Sequence, residues 1–154
     1  MKIVVGSDHA GFEHKEKISE LISSLGHEVI DAGTDSTRSV DYPDYGEKGA
    51  RKVSCGEAEL GVLICGTGIG ICMAANKVRG IRGAVCWNEE TARLARQHND
   101  ANVLCMGARF ISIENALKIT RVFLETPASE DERHQRRVSK ISSIEERSKS
   151  CDCR

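Results

Sequence analysis

Five short runs rich in β-branched and apolar residues recur along the chain with helix-patterned stretches between them. This alternation limits the possible folds more than any other feature. Residues 2–6 (KIVVG), 27–31 (HEVID), 60–65 (LGVLIC), 81–86 (IRGAVC) and 102–106 (NVLCM) read as strands, several with the near-continuous apolar content of strands buried on both faces. Between the first two, Ile18, Leu21, Ile22 and Leu25 repeat at helical spacing. Gly26 follows where a left-handed helix terminus favours a residue without Cβ. The spacing predicts further helices near residues 43–56, 69–79, 89–98, 113–125 and 129–148. The expected fold class is α/β: a three-layer α/β/α sandwich around a five-stranded parallel, Rossmann-like sheet.

A chain of 154 residues suits one domain, and a domain of that size buries roughly 70% of its extended surface without metal or disulfide staples. Lys and Arg number 22 against 23 Asp and Glu, a net charge of −1, so a generic nucleic-acid binder is not expected and any anion site must be local. No apolar stretch approaches the ~18 residues needed to cross a bilayer, and the N-terminal MKIVVGSDHAG is no export signal. A cytoplasmic protein with no membrane partner is expected. The seven cysteines are an odd number in a chain large enough to fold unaided, and they form neither a C-x-x-C pair nor a zinc-ligand spacing. Mostly free thiols and no metal site are expected.

The polar segment 33–43 (GTDSTRSVDYP) is too long for an ordinary strand-to-helix connection; it is either a functional surface loop or an insertion. The last helix has no strand after it, and its narrow stripe of Val138, Ile141 and Ile144 suits packing on a second subunit, with packing on its own sheet as the alternative.

In parallel α/β sheets, ligands bind at the carboxyl ends of the strands. Three polar clusters are expected on that one edge: Ser7-Asp8-His9-Ala10-Gly11, Cys65-Gly66-Thr67-Gly68-Ile69-Gly70, and Gln97-His98-Asn99-Asp100. The three glycines of the second cluster let backbone amides approach a group that is, or becomes, anionic, although a purely structural tight turn has the same appearance. The turn is no dinucleotide fingerprint, because Ile71 stands where the third glycine belongs, and Phe12-Glu13 replace the Lys-Ser/Thr of a phosphate loop after Gly6 and Gly11.

Cys65 lies where strand meets turn, and amide donors there favour its thiolate as a base or nucleophile. Cys72, Cys86 and Cys105 read as small buried hydrophobes. Asp8, His9 and His98 could move protons near neutral pH. Arg133, His134, Arg136 and Arg137 crowd the start of the last helix. Arg133 and Arg137, one turn apart, could clamp a phosphate or could pair with Glu130, Asp131 and Glu132 on a solvated face.

Taken together, DHAG, DYP, LICGTGIG with AANK, ARQHNDANVL and RHQRRV resemble the type B ribose-5-phosphate isomerases, of the wider sugar-phosphate isomerase family that includes galactose-6-phosphate isomerase subunits. The likeness runs from residue 2 to about 147. It implies one isomerase domain over 1–147 and a tail, 148–154 with Cys151 and Cys153, that carries no role.

The resemblance implies a cofactor-independent aldose–ketose isomerase that interconverts D-ribose 5-phosphate and D-ribulose 5-phosphate, in the pentose phosphate pathway, through ring opening and a cis-enediolate. By this likeness Cys65 is the base, Thr67 moves protons between the oxygens, and His98 with Asp8 opens the ring. The amides of Gly66, Gly68, Ile69 and Gly70, with Asn99, hold the enediolate charge. His9, Arg133 and Arg137 bind phosphate, Arg109 is a further candidate, and Tyr42 lines the sugar pocket. Some relatives use a serine and a glutamate just past the glycine turn; Ile71 occupies that place here, so the cysteine version applies. Neither metal nor nicotinamide is expected. The site is implied to lie between two subunits of a homodimer, the last helix serving dimerisation, with a tetramer left open. A nucleotide-binding module and a redox-sensing thiol protein remain rival classes, and pocket depth for a pentose or hexose phosphate is not readable from the chain.

Overall fold

The computed structural model describes residues 1–148. Its elements alternate as the sequence implies: β1 (Lys2–Ser7), a short 3-10 turn (His9–Gly11), α1 (Phe12–Ser24), β2 (Glu28–Asp31), α2 (Tyr42–Ser54), β3 (Leu60–Cys65), α3 (Ile69–Ala75), β4 (Gly83–Val85), α4 (Glu89–Asn99), β5 (Val103–Gly107), α5 (Ile113–Glu125) and α6 (Glu132–Ser148). All five strands pair in parallel, in the order β2-β1-β3-β5-β4. The expected α/β class and sheet are therefore present. Boundaries differ most at α3, which ends at Ala75, and at β4, which spans only Gly83–Val85.

Alternation along the buried strands builds two cores. Ile3, Val5, Val62, Ile64, Leu104 and Met106 pack with Ile18 and Ile22 of α1, Ala92 of α4 and Ile119 and Phe123 of α5. Leu63, Cys65, Val103 and Cys105 point to the other face, against Ala50 of α2 and Ile71, Cys72 and Ala75 of α3. The period-two pleat thus delivers Cys65 to the α2/α3 layer. After β1 the chain moves outward to β2, then returns to place β3 on the opposite side of β1. The carboxyl ends of β1 and β3 flank that reversal, where the crevice of an open α/β sheet forms.

The helix after each strand must run back antiparallel to it. Hence α4 ends at the amino edge of β5, where Asp100 turns the chain in a left-handed conformation (φ 43°). Arg82 and Arg96 each donate to its carboxylate at 2.8 Å. α6 begins beside this corner, with Ser129 N–H donating to Gln97 O, and reaches the turn before β4, where Glu145 accepts from Gly80 N–H. On α6, Ile141 and Ile144 are exposed.

Cys55, Cys65, Cys72, Cys86 and Cys105 are free thiols; Cys151 and Cys153 lie outside the described residues. No helix among the described residues is long and apolar enough to cross a membrane.

Candidate active site

Cys65 closes β3 and is 3% exposed. Its sulfur accepts the N–H of Gly68 at 3.2 Å, so it turns toward the glycine loop. Gly68 is at φ 78°, and a Cβ there would lie 2.7 Å from the carbonyl carbon of Met106, so only glycine fits. Thr67 Oγ1 accepts from Ile69 N–H at 3.2 Å, which leaves its own proton free to be donated. Two further glycines make room for large neighbours. The guanidinium of Arg109 lies 3.2–3.4 Å from where a Gly66 Cβ would be, and the ring of Tyr42 comes within 2.7 Å of the same position on Gly70.

The adjoining strand end supplies Asp8 and His9. Asp8 Oδ1 accepts from Ala10 and Gly11 N–H at 2.9 and 3.1 Å, capping the 3-10 turn. His9 Nδ1 accepts from Val40 N–H at 3.2 Å. One end of the long loop is thus tied to the imidazole, and the same loop leads into Tyr42. The structure therefore brings together Asp8, His9, Tyr42, Cys65, Gly66, Thr67, Gly68, Ile69, Gly70 and Arg109 at the carboxyl edge.

It does not bring His98, Asn99, Arg133 and Arg137 to them. The expectation of a single edge for all three clusters fails, because α4 runs antiparallel to the strands and its last residues face the amino edge. Asp8 and His98 consequently stand on opposite edges of one chain. At the amino edge, the rings of His98 and His134 stack at 4.1 Å with an 8° interplanar angle. Arg133 donates to His134 Nε2 at 3.3 Å and to Asp131 Oδ2 at 3.3 Å. The Arg133 N–H holds the Asp131 carboxyl below its ordinary value. Burial, then the charges of His98 and Arg133, push His134 below the usual histidine value, with Asp131 opposing them.

His134 is the residue in this corner to which no role was assigned from the sequence. A signal existed: it lies one turn before Val138 on the apolar stripe of α6, and it is 7% exposed. The tie between Val40 and His9 had no sequence signal, since any residue can donate its backbone N–H.

Cys72, Cys86 and Cys105 are buried, whereas Cys55 is exposed and donates to Glu57 Oε1 at 3.2 Å. Burial pushes Cys86 up to about 11 and Cys105 well above the ordinary thiol range. Cys72, which takes a hydrogen bond from Cys105, is held lower. Among the described residues, no group of three or more His, Cys, Asp or Glu is placed to hold a metal ion.

Comparison with known proteins gives one consistent result. The family model described as Ribose/Galactose Isomerase matches residues 3–141. The chain is 47% identical over 146 residues to ribose-5-phosphate isomerase B of Escherichia coli, covering 95% of this chain and 97% of that one. It is 42% identical over 149 residues to the galactose-6-phosphate isomerase subunit LacB of Clostridium acetobutylicum, covering 97% and 86%. The solved structure of Clostridium thermocellum ribose-5-phosphate isomerase B superposes with a TM-score of 0.92 at 49% identity, covering 96% of this chain and 99% of that one.

Proposed function

The chain belongs to the ribose/galactose isomerase family, and we propose that it is a ribose-5-phosphate isomerase in which Cys65 is the base and two subunits share each site. The observation that carries the reading is the Gly68 amide on the Cys65 sulfur. It aims a donor at the sulfur that is to take the C2 proton, at the mouth of a turn whose remaining amides can receive negative charge.

The reaction begins with the furanose ring. His98 donates a proton to the ring oxygen, while Asp8 accepts that of the anomeric hydroxyl, opening the aldose. Cys65 thiolate then removes the proton from C2. The electron pair moves through C1 onto O1, and the amides of residues 66–70 with Asn99 hold the resulting cis-enediolate. Thr67 carries a proton from O2 to O1, and Cys65 returns its proton to C1 to give the ketose. The carbon skeleton neither gains nor loses electrons overall, so no redox partner enters. His9, Arg109, Arg133 and Arg137 bind the phosphate, and Tyr42 lines the pocket from its seat on Gly70.

A shared site reconciles these roles with the fold. His98, Asn99 and the α6 arginines are separated from Cys65 within one chain, and apolar side chains that a second subunit could cover are exposed on α3 (Ile69, Met73) and α6 (Ile141, Ile144). In a symmetric dimer the amino-edge corner of one subunit serves the carboxyl edge of the other. Residues 1–147 then act as a single isomerase domain, with α6 as its dimerisation helix.

A hexose phosphate is the second reading, favoured by the 42% identity to a galactose-6-phosphate isomerase subunit. Side-by-side assays on ribose 5-phosphate, allose 6-phosphate and galactose 6-phosphate, with a chelator present, decide between them. The pentose is expected to turn over fastest, with Cys65→Ala abolishing exchange of the C2 proton with solvent. Preference for a hexose overturns the substrate, and normal exchange in Cys65→Ala overturns the base.

A further inference from the structure

The stacked pair at the amino edge contains one histidine with a role in the proposed reaction and one without. His134 is buried, with its ring 4.1 Å from that of His98 and 8° from parallel. Its Nε2 accepts an N–H from Arg133 at 3.3 Å, so that lone pair is occupied. A neutral imidazole then carries its proton on Nδ1, and that atom is buried with no hydrogen-bond partner. Such an arrangement costs stability, since an unsatisfied buried N–H would be relieved by an apolar ring of similar shape. A ring kept in place at that cost points to a task other than holding the helix. Burial and the neighbouring positive charges oppose a proton on His134 as well. Of the two stacked rings, His98 is the more exposed.

We propose that His134 is a positioning residue for ring opening: its flat face backs the imidazole of His98 and fixes the direction in which that ring presents its proton. The inference rests on the reading of His98 as the ring-opening acid. The need for a backstop is geometric. His98 is the penultimate residue of α4, and a cavity of about 320 Å³ lined by Gln97, Asp100, Ser129, His134 and Val138 opens at the same corner. Cutting His134 back to a methyl group would enlarge that space and let the His98 ring tip. A misplacement on the order of 1 Å can cost a hundredfold in rate.

Substrate chemistry separates this step from proton transfer at carbon. Ribose 5-phosphate is mainly a furanose and must be opened, whereas ribulose 5-phosphate has its C5 oxygen esterified and has no furanose to open. Turnover of ribose 5-phosphate therefore reads both steps, and deuterium exchange from solvent into ribulose 5-phosphate reads the carbon chemistry alone. His134→Ala is expected to slow ribose 5-phosphate turnover tenfold or more while keeping exchange into ribulose 5-phosphate within twofold. His134→Phe, which restores a flat ring and omits the unpaired N–H, is expected to recover most of the turnover. Unchanged turnover in His134→Ala, equal loss of both activities, or no rescue by phenylalanine would each overturn the assignment. His98→Asn tests the premise separately. Normal ribose 5-phosphate turnover in that variant would remove His98 from ring opening, whereas impaired His98→Asn beside a normal His134→Ala would reject only the backing role.

Discussion

Gly68 donates its backbone N–H to the sulfur of Cys65 across 3.2 Å while standing at φ 78°, the one glycine of the loop in the left-handed region. Both properties depend on the missing Cβ, which would meet the Met106 carbonyl carbon at 2.7 Å and the Gly107 nitrogen at 2.9 Å. Those atoms belong to a fully buried strand and cannot yield. Gly68→Ala is expected to destabilise the fold by about 1–3 kcal/mol from backbone strain alone, with the clash adding to it, and to lower kcat. Thermal unfolding and turnover read the two effects. Wild-type values for both would mean that the turn does not depend on glycine at this position.

The separation of Cys65 from His98 within one chain makes the shared site directly testable. Cys65→Ala and His98→Asn are each expected to lose ribose 5-phosphate turnover. In a mixed dimer, one of the two sites receives both intact residues and the other receives neither. Random mixing makes half of the dimers mixed, so recovery of about a quarter of wild-type turnover is expected. No recovery in mixed dimers verified by mass would sink the shared site.

Arg137 lies on the exposed start of α6, one turn beyond Arg133. A charge-assisted hydrogen bond to phosphate is worth roughly 1.5–3 kcal/mol, so Arg137→Ala is expected to raise KM by roughly 10- to 150-fold with little change in kcat. Inhibition by inorganic phosphate should weaken in parallel. An unchanged KM removes Arg137 from the phosphate site. Arg133→Ala is expected to raise KM in the same way, with the stacked ring of His134 still in place.

The sheet was readable because each buried strand carries a continuous apolar run, and β3 and β5 are buried along their whole length. The end of α1 was readable for a different reason: Gly26 takes φ 79°, a conformation that penalises a Cβ. The edge strand β4 was overextended, since of the run 81–86 only Gly83–Val85 pairs. At the site, the pairing of Cys65 with its glycine turn followed from adjacency in sequence. The edge on which His98 lies did not follow, because the antiparallel direction of the helix that ends there is not encoded in the motif. Stacking of His134 on His98 joins residues on two helices, and no local spacing encodes such a contact. Tyr42 on Gly70 is of the same kind: each residue was singled out alone, while the contact between them depends on how α2 lies against α3.

His134 is held below its ordinary value of 6.5 in the folded chain, by burial first, then by the charges of His98 and Arg133, with Arg137 adding and Asp131 opposing. The unfolded chain therefore takes up this proton at a higher pH than the folded chain does. By linkage, the neutral ring contributes stability that is fully present above about 6.5 and is lost as the pH falls through the depressed folded value. His134→Phe has no proton to take up at this position. The wild-type Tm is thus expected to fall more than that of His134→Phe between about pH 7.5 and 5.5, the two curves converging toward neutrality apart from a constant offset. His98→Asn removes the largest of the opposing charges and should shrink the wild-type slope without abolishing it. Parallel curves for wild type and His134→Phe would mean that His134 titrates alike in both states, and that burial at this corner does not hold it neutral.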